Sequence, residues 1–341
     1  MNKEKYTNVE LVILNLFLFN SFTSTFIVNS FKGFNTISII ISVLISLFLG
    51  LLSLNMFFKL WNNNFISNLS SNNFLNFTFK VIFIICSFFI LLYSLYSSGT
   101  IIKEVLLPNE NQLVIEFALF LVASFLSLKG FKSLSIASNL FFYIFIFIIL
   151  ISFSFSLQNI KAINLLPLSF SVNNFNFYEI FIFSISPIFM TLLIKKKKID
   201  NYDRYKKYSY ISYIIFIIYL LVKILFIYAI LGDKYFSIMN YPEVEVLKMI
   251  NVFNFFKNLE EILIINVFIE NLIVISLSIS YITTIFNSIY NFNKKVYFIL
   301  GIITFILLYN FEFTNFFVLK VILTVFVIFN FFTYKRKYKD E

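Results

Sequence analysis

The sequence predicts an all-α integral membrane protein of ten transmembrane helices, built as two inverted five-helix halves whose first helices, 1 and 6, are broken. Three observations lead there. The 341-residue chain is 60% hydrophobic and 13% charged, more apolar surface than a water-soluble core can hide, so lipid is its main solvent. Apolar runs able to cross about 30 Å of hydrocarbon, at about 1.5 Å per residue, recur along the whole length. Lys and Arg fall in alternate connections, nineteen on one side of the bilayer and six on the other, as the positive-inside rule requires.

Hydropathy windows of about 19 residues place the spans at Leu11–Ser30, Thr36–Phe58, Phe79–Ile102, Gln112–Leu128, Ser135–Leu157, Tyr178–Ile194, Tyr208–Leu231, Glu261–Phe286, Val296–Asn310 and Thr314–Phe332. The Lys-rich connections are those holding Lys3 and Lys5, Lys59 and Lys80, Lys129 and Lys132, Lys195–Lys198 with Arg204, Lys206 and Lys207, Lys294 and Lys295, and the C-terminal cluster from Lys335. They put both termini in the cytoplasm. Lys32, Lys103, Lys161, Lys234, Lys248 and Lys257 lie on the opposite side, and Lys223 and Lys320 within spans. The expected organisation is a single transmembrane domain over 1–341, with repeats at 11–157 and 178–332 and a cytoplasmic tail at 333–341. An odd number of spans per half inverts one half against the other.

The sixth span is the pivot. Its apolar run is interrupted by Ser184, Ser186 and Pro187 and ends at four lysines. Pro187 has no N–H for the helical ladder, and a helix interrupted at membrane depth persists only where its freed groups meet protein, water or a ligand. At the corresponding place the first span carries Asn20-Ser21-Phe22-Thr23-Ser24-Thr25. Inverted-repeat transporters bind substrate at such breaks. The candidate ligand-binding residues are therefore Asn20, Ser21, Thr23, Ser24, Phe183, Ser184, Ser186 and Pro187. The competing reading is that the Ser and Thr hydroxyls bond back to a carbonyl one turn earlier.

On the outer side, Asn164-Leu165-Leu166-Pro167 and the polar stretch Ser169–Asn176 read as a surface loop. In Tyr241–Asn258, Glu245, Lys248, Asn251, Asn254 and Lys257 recur every three residues opposite Val246, Leu247, Ile250, Phe253 and Phe256. That pattern is an amphipathic helix lying on the surface or capping a cavity. Lys223 and Glu270 each lie about 12–14 Å inside their spans. A charge at mid-membrane costs about 2.5–3.5 kcal/mol on insertion scales, so the two are expected to pair or to line one pathway. Glu116 and Lys320 are shallower and read as interfacial.

Other classes of function are excluded by what is missing. The chain has no His, and its one cysteine, Cys86, lies in an apolar run, so no disulfide framework, metal site or nucleophile–base pair can be nominated. The expectation is a non-enzyme without cofactor. The formal charge of +10 sits at membrane-flanking positions, which suits an anionic leaflet, and no soluble domain offers a nucleic-acid face. Met1–Tyr6 lead into a full span rather than a cleavable signal peptide. The 51 Phe and 20 Tyr track A/T-rich codons and carry no weight as ligand boxes.

Scattered residues add a likeness: Leu106-Leu107-Pro108, Gly130, Asn164-Leu165-Leu166-Pro167, Glu179 with Pro187, and Tyr241-Pro242 followed by Leu247, Ile250, Phe256 and Leu259-Glu260. Over nearly its whole length the chain resembles the B subunits of spore-germination nutrient receptors (GerAB-like), in the amino acid–polyamine–organocation (APC) transporter superfamily. The resemblance implies a LeuT/APC-like fold and a subunit of a receptor in the spore inner membrane. It also implies A and C subunits as partners and the sensing of an amino acid or similar small nutrient, with ion release as the output. Two other readings stand beside it: an amino acid permease driven by Na⁺ or H⁺, and a non-binding assembly subunit of a membrane complex.

Overall fold

The computed structural model describes residues 5–22, 27–62, 74–166, 177–194, 198–249, 259–289, 295–310 and 324. Among them the chain forms ten α-helices: α1 (Asn8–Asn20), α2 (Thr36–Asn62), α3 (Phe74–Val105), α4 (Gln112–Leu128), α5 (Phe131–Ser156), α6 (Phe177–Ile185), α7 (Tyr202–Ile238), α8 (Pro242–Lys248), α9 (Leu259–Ile289) and α10 (Lys295–Asn310). Five are long and apolar enough to cross a membrane, and four shorter apolar helices accompany them. These nine lie under the first nine expected spans; most of the tenth, Thr314–Phe332, and Lys320 with it, falls outside the described residues.

Burial sorts the helices. α9 is innermost, with 78% of its apolar window buried, whereas α5 has only 11% buried. On α5, Leu140, Tyr143, Phe147 and Leu150 are each at least 60% exposed along one face, a row of bulky side chains that lipid accommodates and water does not. α1 packs on α7, α2 on α6, and α3 along α9. The tightest approach is at Gly50 on α2, where an added Cβ would run into the buried ring of Tyr213 on α7. Small residues at helix crossings let backbones close in where no hydrophobic effect drives them together.

The ends are fixed by caps. Thr7 and Glu10 form a capping box at the start of α1, each side chain accepting the other's backbone N–H at 3.3 Å. Glu10 also accepts from Lys132 Nζ at 2.7 Å, and the same ammonium donates to the Lys5 carbonyl at 2.8 Å. An isolated bridge joins Tyr6 to Ile199. These contacts gather the N-terminal segment, the α4–α5 turn and the start of α7 at one end of the molecule. The 3-10 turn Ala162–Leu165, the last turns of α7 and α8 meet at the other. The grouping agrees with the partition of Lys and Arg.

α7 is two helices in one. Gly232 takes φ 72°, ψ 165°, a conformation that favours glycine, and divides 202–231 from a short continuation. The carbonyls freed at the break are taken by the α5–α6 connection: Asn164 Nδ2 donates to Ala229 (2.9 Å) and Ile230 (3.2 Å), and Lys161 N–H donates to Ala229 (3.1 Å). Asn164→Ala should therefore lower stability by about 1–2 kcal/mol, the cost of lost and unsatisfied hydrogen bonds. Asn164→Asp, which keeps the size but loses the donor, should do the same in thermal unfolding of the purified protein. An unchanged melting temperature for both would contradict the cap.

Candidate functional site

The first span departs from α-helix where its polar run begins. α1 stops at Asn20; beyond the turn Ser21-Phe22, Ile27 N–H donates to the Phe22 C=O at 3.1 Å, the i→i+5 spacing of a π turn, before the 3-10 turn Asn29–Phe31. Thr23 and Ser24 lie outside the described residues. Ser21 bonds back to the Leu18 carbonyl at 3.0 Å, the local pattern that competes with a ligand role.

The sixth span behaves differently from the open break expected there. α6 runs to Ile185 and passes directly into a 3-10 helix, Ser186–Leu193, with Pro187 in its first turn. A proline at that position cannot donate back into α6 and crowds the preceding turn, so the chain leaves the α pattern by tightening rather than by unwinding. Phe183 packs its ring on Phe22, centroids 5.7 Å apart, which brings the two interrupted spans into contact. Ser184 donates to the Phe181 carbonyl at 3.2 Å and lies 3.4 Å from the Tyr213 hydroxyl, which itself donates to Ser46 C=O at 3.2 Å. Ser184 thus ties α6 to α7 and α2.

Ser186 is the exception among these hydroxyls: fully buried, its Oγ has no hydrogen-bond partner. Three neighbouring elements contribute similar groups. Ser94 Oγ on α3, both side-chain atoms of Asn271 on α9, and Asn20 Oδ1 at the end of α1 are buried and without partners. α1, α3 and α9 all pack against the 3-10 helix that Ser186 begins. A buried polar atom left unpaired costs about 1–3 kcal/mol, and a set of them calls for water or a ligand.

A cavity of about 60 Å³ lies between α5, α7, α8 and α9. It is mostly apolar, with Phe145, Phe153, Phe226 and Leu263 in its wall, but its polar members are charged: Lys223, Glu243 and Glu270, with Asn266 and Tyr219. Lys223 Nζ meets Glu243 Oε1 at 2.8 Å, with side chains 10% and 5% exposed, and sits 5.7 Å from the Tyr219 ring centroid. Glu270 accepts a hydrogen bond from Asn20 Nδ2 at 2.5 Å. The first-span break and the cavity are therefore joined through one contact. Asn266 spends its Nδ2 on the Phe145 carbonyl at 3.4 Å and leaves Oδ1 unpaired.

Lys223 and Glu270 do line one cavity, but the ion partner of Lys223 is Glu243. The reason is α8. Instead of lying on the surface, it folds in over the cavity, burying Pro242, Glu243, Val244, Val246 and Leu247 and leaving Glu245 and Lys248 paired outside at 2.8 Å. Asn251, Asn254 and Lys257, the rest of the expected polar face, are outside the described residues. Glu243 escapes a sequence reading because an acid beside Pro242 looks like a helix N-terminal residue favoured by the dipole. The available signal is spacing: three and four residues before Val246 and Leu247, it stands on the buried face. Glu116, near the start of α4, is buried against other helices; it accepts from Gln112 Nε2 at 2.8 Å and lies over Gly99.

Apolar helices in this number, with an ion pair and amides gathered in their interior, define a multi-pass membrane protein with a small, mostly apolar cavity that carries charged groups in its wall. Within that class the chain belongs to the spore germination protein family: the Spore_permease family model, described as spore germination protein, matches residues 22–318, which includes every residue of the cavity. A search of curated proteins returns no match.

Proposed function

We propose that the protein is the membrane subunit of a germinant receptor in the spore inner membrane, with both termini cytoplasmic, that binds an amino acid or similar small nutrient and signals ion release through A and C subunits. The observation that carries this reading is the Asn20–Glu270 hydrogen bond, which connects the end of α1 to a charged cavity under α8. The unpaired Ser186 side chain, on a 3-10 helix packed against α1 and α9, and Asn271, on α9, offer hydrogen bonds that a polar guest would complete. The packing of α1 on α7 and of α6 on α2 supports a LeuT-like five-plus-five arrangement, since an inverted repeat exchanges those two contacts. Binding would act by selecting one of two conformations, and by no more than its differential affinity for them. α8, latched by Glu243 to Lys223, is an element that could differ between the two.

A proton- or Na⁺-driven amino acid permease would use the same site, and concentrative uptake of labelled amino acid by this chain alone in proteoliposomes would favour it. An assembly-only subunit would not depend on the site at all. Ser186→Ala separates these ideas from the receptor. Because Ser186 Oγ has no partner, its removal should leave the melting temperature of the ligand-free protein unchanged or slightly raised. The nutrient-triggered response should fall severalfold with the complex still assembled; a normal response would argue for the assembly role.

A further inference from the structure

We propose that the cavity between α5, α7, α8 and α9 receives the ammonium group of a small organic amine, rather than a carboxylate; this deepens the nutrient-binding reading and rests on it. The argument is a count of charge and of spare hydrogen-bonding capacity. The wall holds two carboxyl groups, Glu243 and Glu270, against one ammonium, Lys223. Lys223 is committed to Glu243 and faces the Tyr219 ring. With Lys223 on Glu243 Oε1, the buried wall atoms left without a hydrogen-bond partner, among the described residues, are oxygens: Oε2 of Glu243 and Oδ1 of Asn266. Both side chains are more than nine-tenths buried.

A guest entering such a space must bring N–H donors and positive charge, since acceptors alone would meet carboxylates at close range in a low-dielectric wall. The aromatic lining points the same way. Phe153 and Phe226, with ring centroids 4.7 Å apart, stand in the wall with Phe145 and Tyr219, and aromatic faces attract cations. The serines add nothing that would hold an anion: Ser152 and Ser156 turn their hydroxyls back onto Ile148 and Ser152 carbonyls. The volume, about 60 Å³, admits a methylammonium-sized head. For an amino acid nutrient this assigns the amine, not the carboxylate, to the cavity.

The test is a thermal-shift titration of the purified full-length protein with methylammonium, ammonium, potassium and acetate chloride or sodium salts at matched ionic strength. Methylammonium should give a saturable stabilisation that potassium and acetate do not. Glu270→Gln, which keeps the side-chain shape, should weaken it by about tenfold or more, as expected for a hydrogen bond to a charged group. Asn266→Asp, which adds a third carboxyl group to the wall, should tighten it. Equal shifts with potassium would mean a general salt effect and overturn the proposal. So would stabilisation by acetate alone, or a methylammonium shift indifferent to both substitutions. If nutrients stabilise the protein while methylammonium does not, the ammonium assignment fails and the receptor reading stands. If methylammonium binds but the germination response ignores Glu270→Gln, the site stands and the receptor reading fails.

Discussion

Lys223→Leu is expected to destabilise the protein by about 3–5 kcal/mol, the cost of removing one member of a buried ion pair and leaving its partner uncompensated. The effect is large because Glu243, buried and 2.8 Å from this ammonium, would lose its counter-charge in a wall that also holds Glu270. The charge swap Lys223→Glu with Glu243→Lys should recover most of the loss, whereas Lys223→Glu with Glu270→Lys should recover little, because Glu270 is held by Asn20 instead. A double-mutant cycle on melting temperature in detergent reads both. Equal rescue by the two swaps would mean that the cavity senses only net charge, and not the specific α7–α8 latch.

The second large effect lies at the crossing of α2 and α7. Gly50→Val should cost about 3 kcal/mol, the upper range for overpacking a close contact, because the new side chain has to occupy the volume of the Tyr213 ring. Tyr213 cannot swing aside cheaply. It is fully buried, its hydroxyl bonds Ser46 and touches Ser184, and its ring stands edge-on to Phe19 at 5.0 Å. Truncating it in the background of Gly50→Val should restore part of the stability, a non-additive pair that melting temperatures would expose. Additive losses would show that the helices separate instead of contesting one space. The crossing also joins α1, α2, α6 and α7, so a variant that folds should show a blunted nutrient response.

Where the helices lie was readable because lipid imposes a one-dimensional rule. α4 occupies Gln112–Leu128, the span its hydropathy gives, since Asn111 caps one end and Lys129-Gly130 close the other. α2 and α3 overrun their apolar windows, to Asn62 and from Phe74, because a helix continues into polar residues as long as its backbone bonds are better made inside than to water. The end of α1 at Asn20 was announced by its polar run. The sixth span's shift to 3-10 was announced only in part: Pro187 forbids regular α-helix but does not say whether the chain opens or tightens.

The site divides along the same line. Glu270 and Lys223 stand out because charge at depth is costly. Their real partners, Asn20 and Glu243, come from α1 and from a short helix folded in from outside the spans, 250 residues away in one case. No periodicity within one helix can report a contact of that kind. Asn271 gives no signal in sequence, and Ser186, though it stands among the interrupting residues of the sixth span, is not separable there from Ser184, since a serine that bonds back to its own helix and one that waits for a guest look alike.

The most direct test of the central claim, that a small polar nutrient is held where the end of α1 meets the charged cavity, is a thermal-shift screen of the purified subunit against amino acids. A ligand that binds only the folded state must stabilise it, by about 2.7 kcal/mol at a hundred times its Kd. At least one amino acid should raise the melting temperature saturably, and Glu270→Gln should abolish that rise. A full set of amino acids without effect on the wild-type protein, or a rise that survives Glu270→Gln unchanged, would contradict the claim.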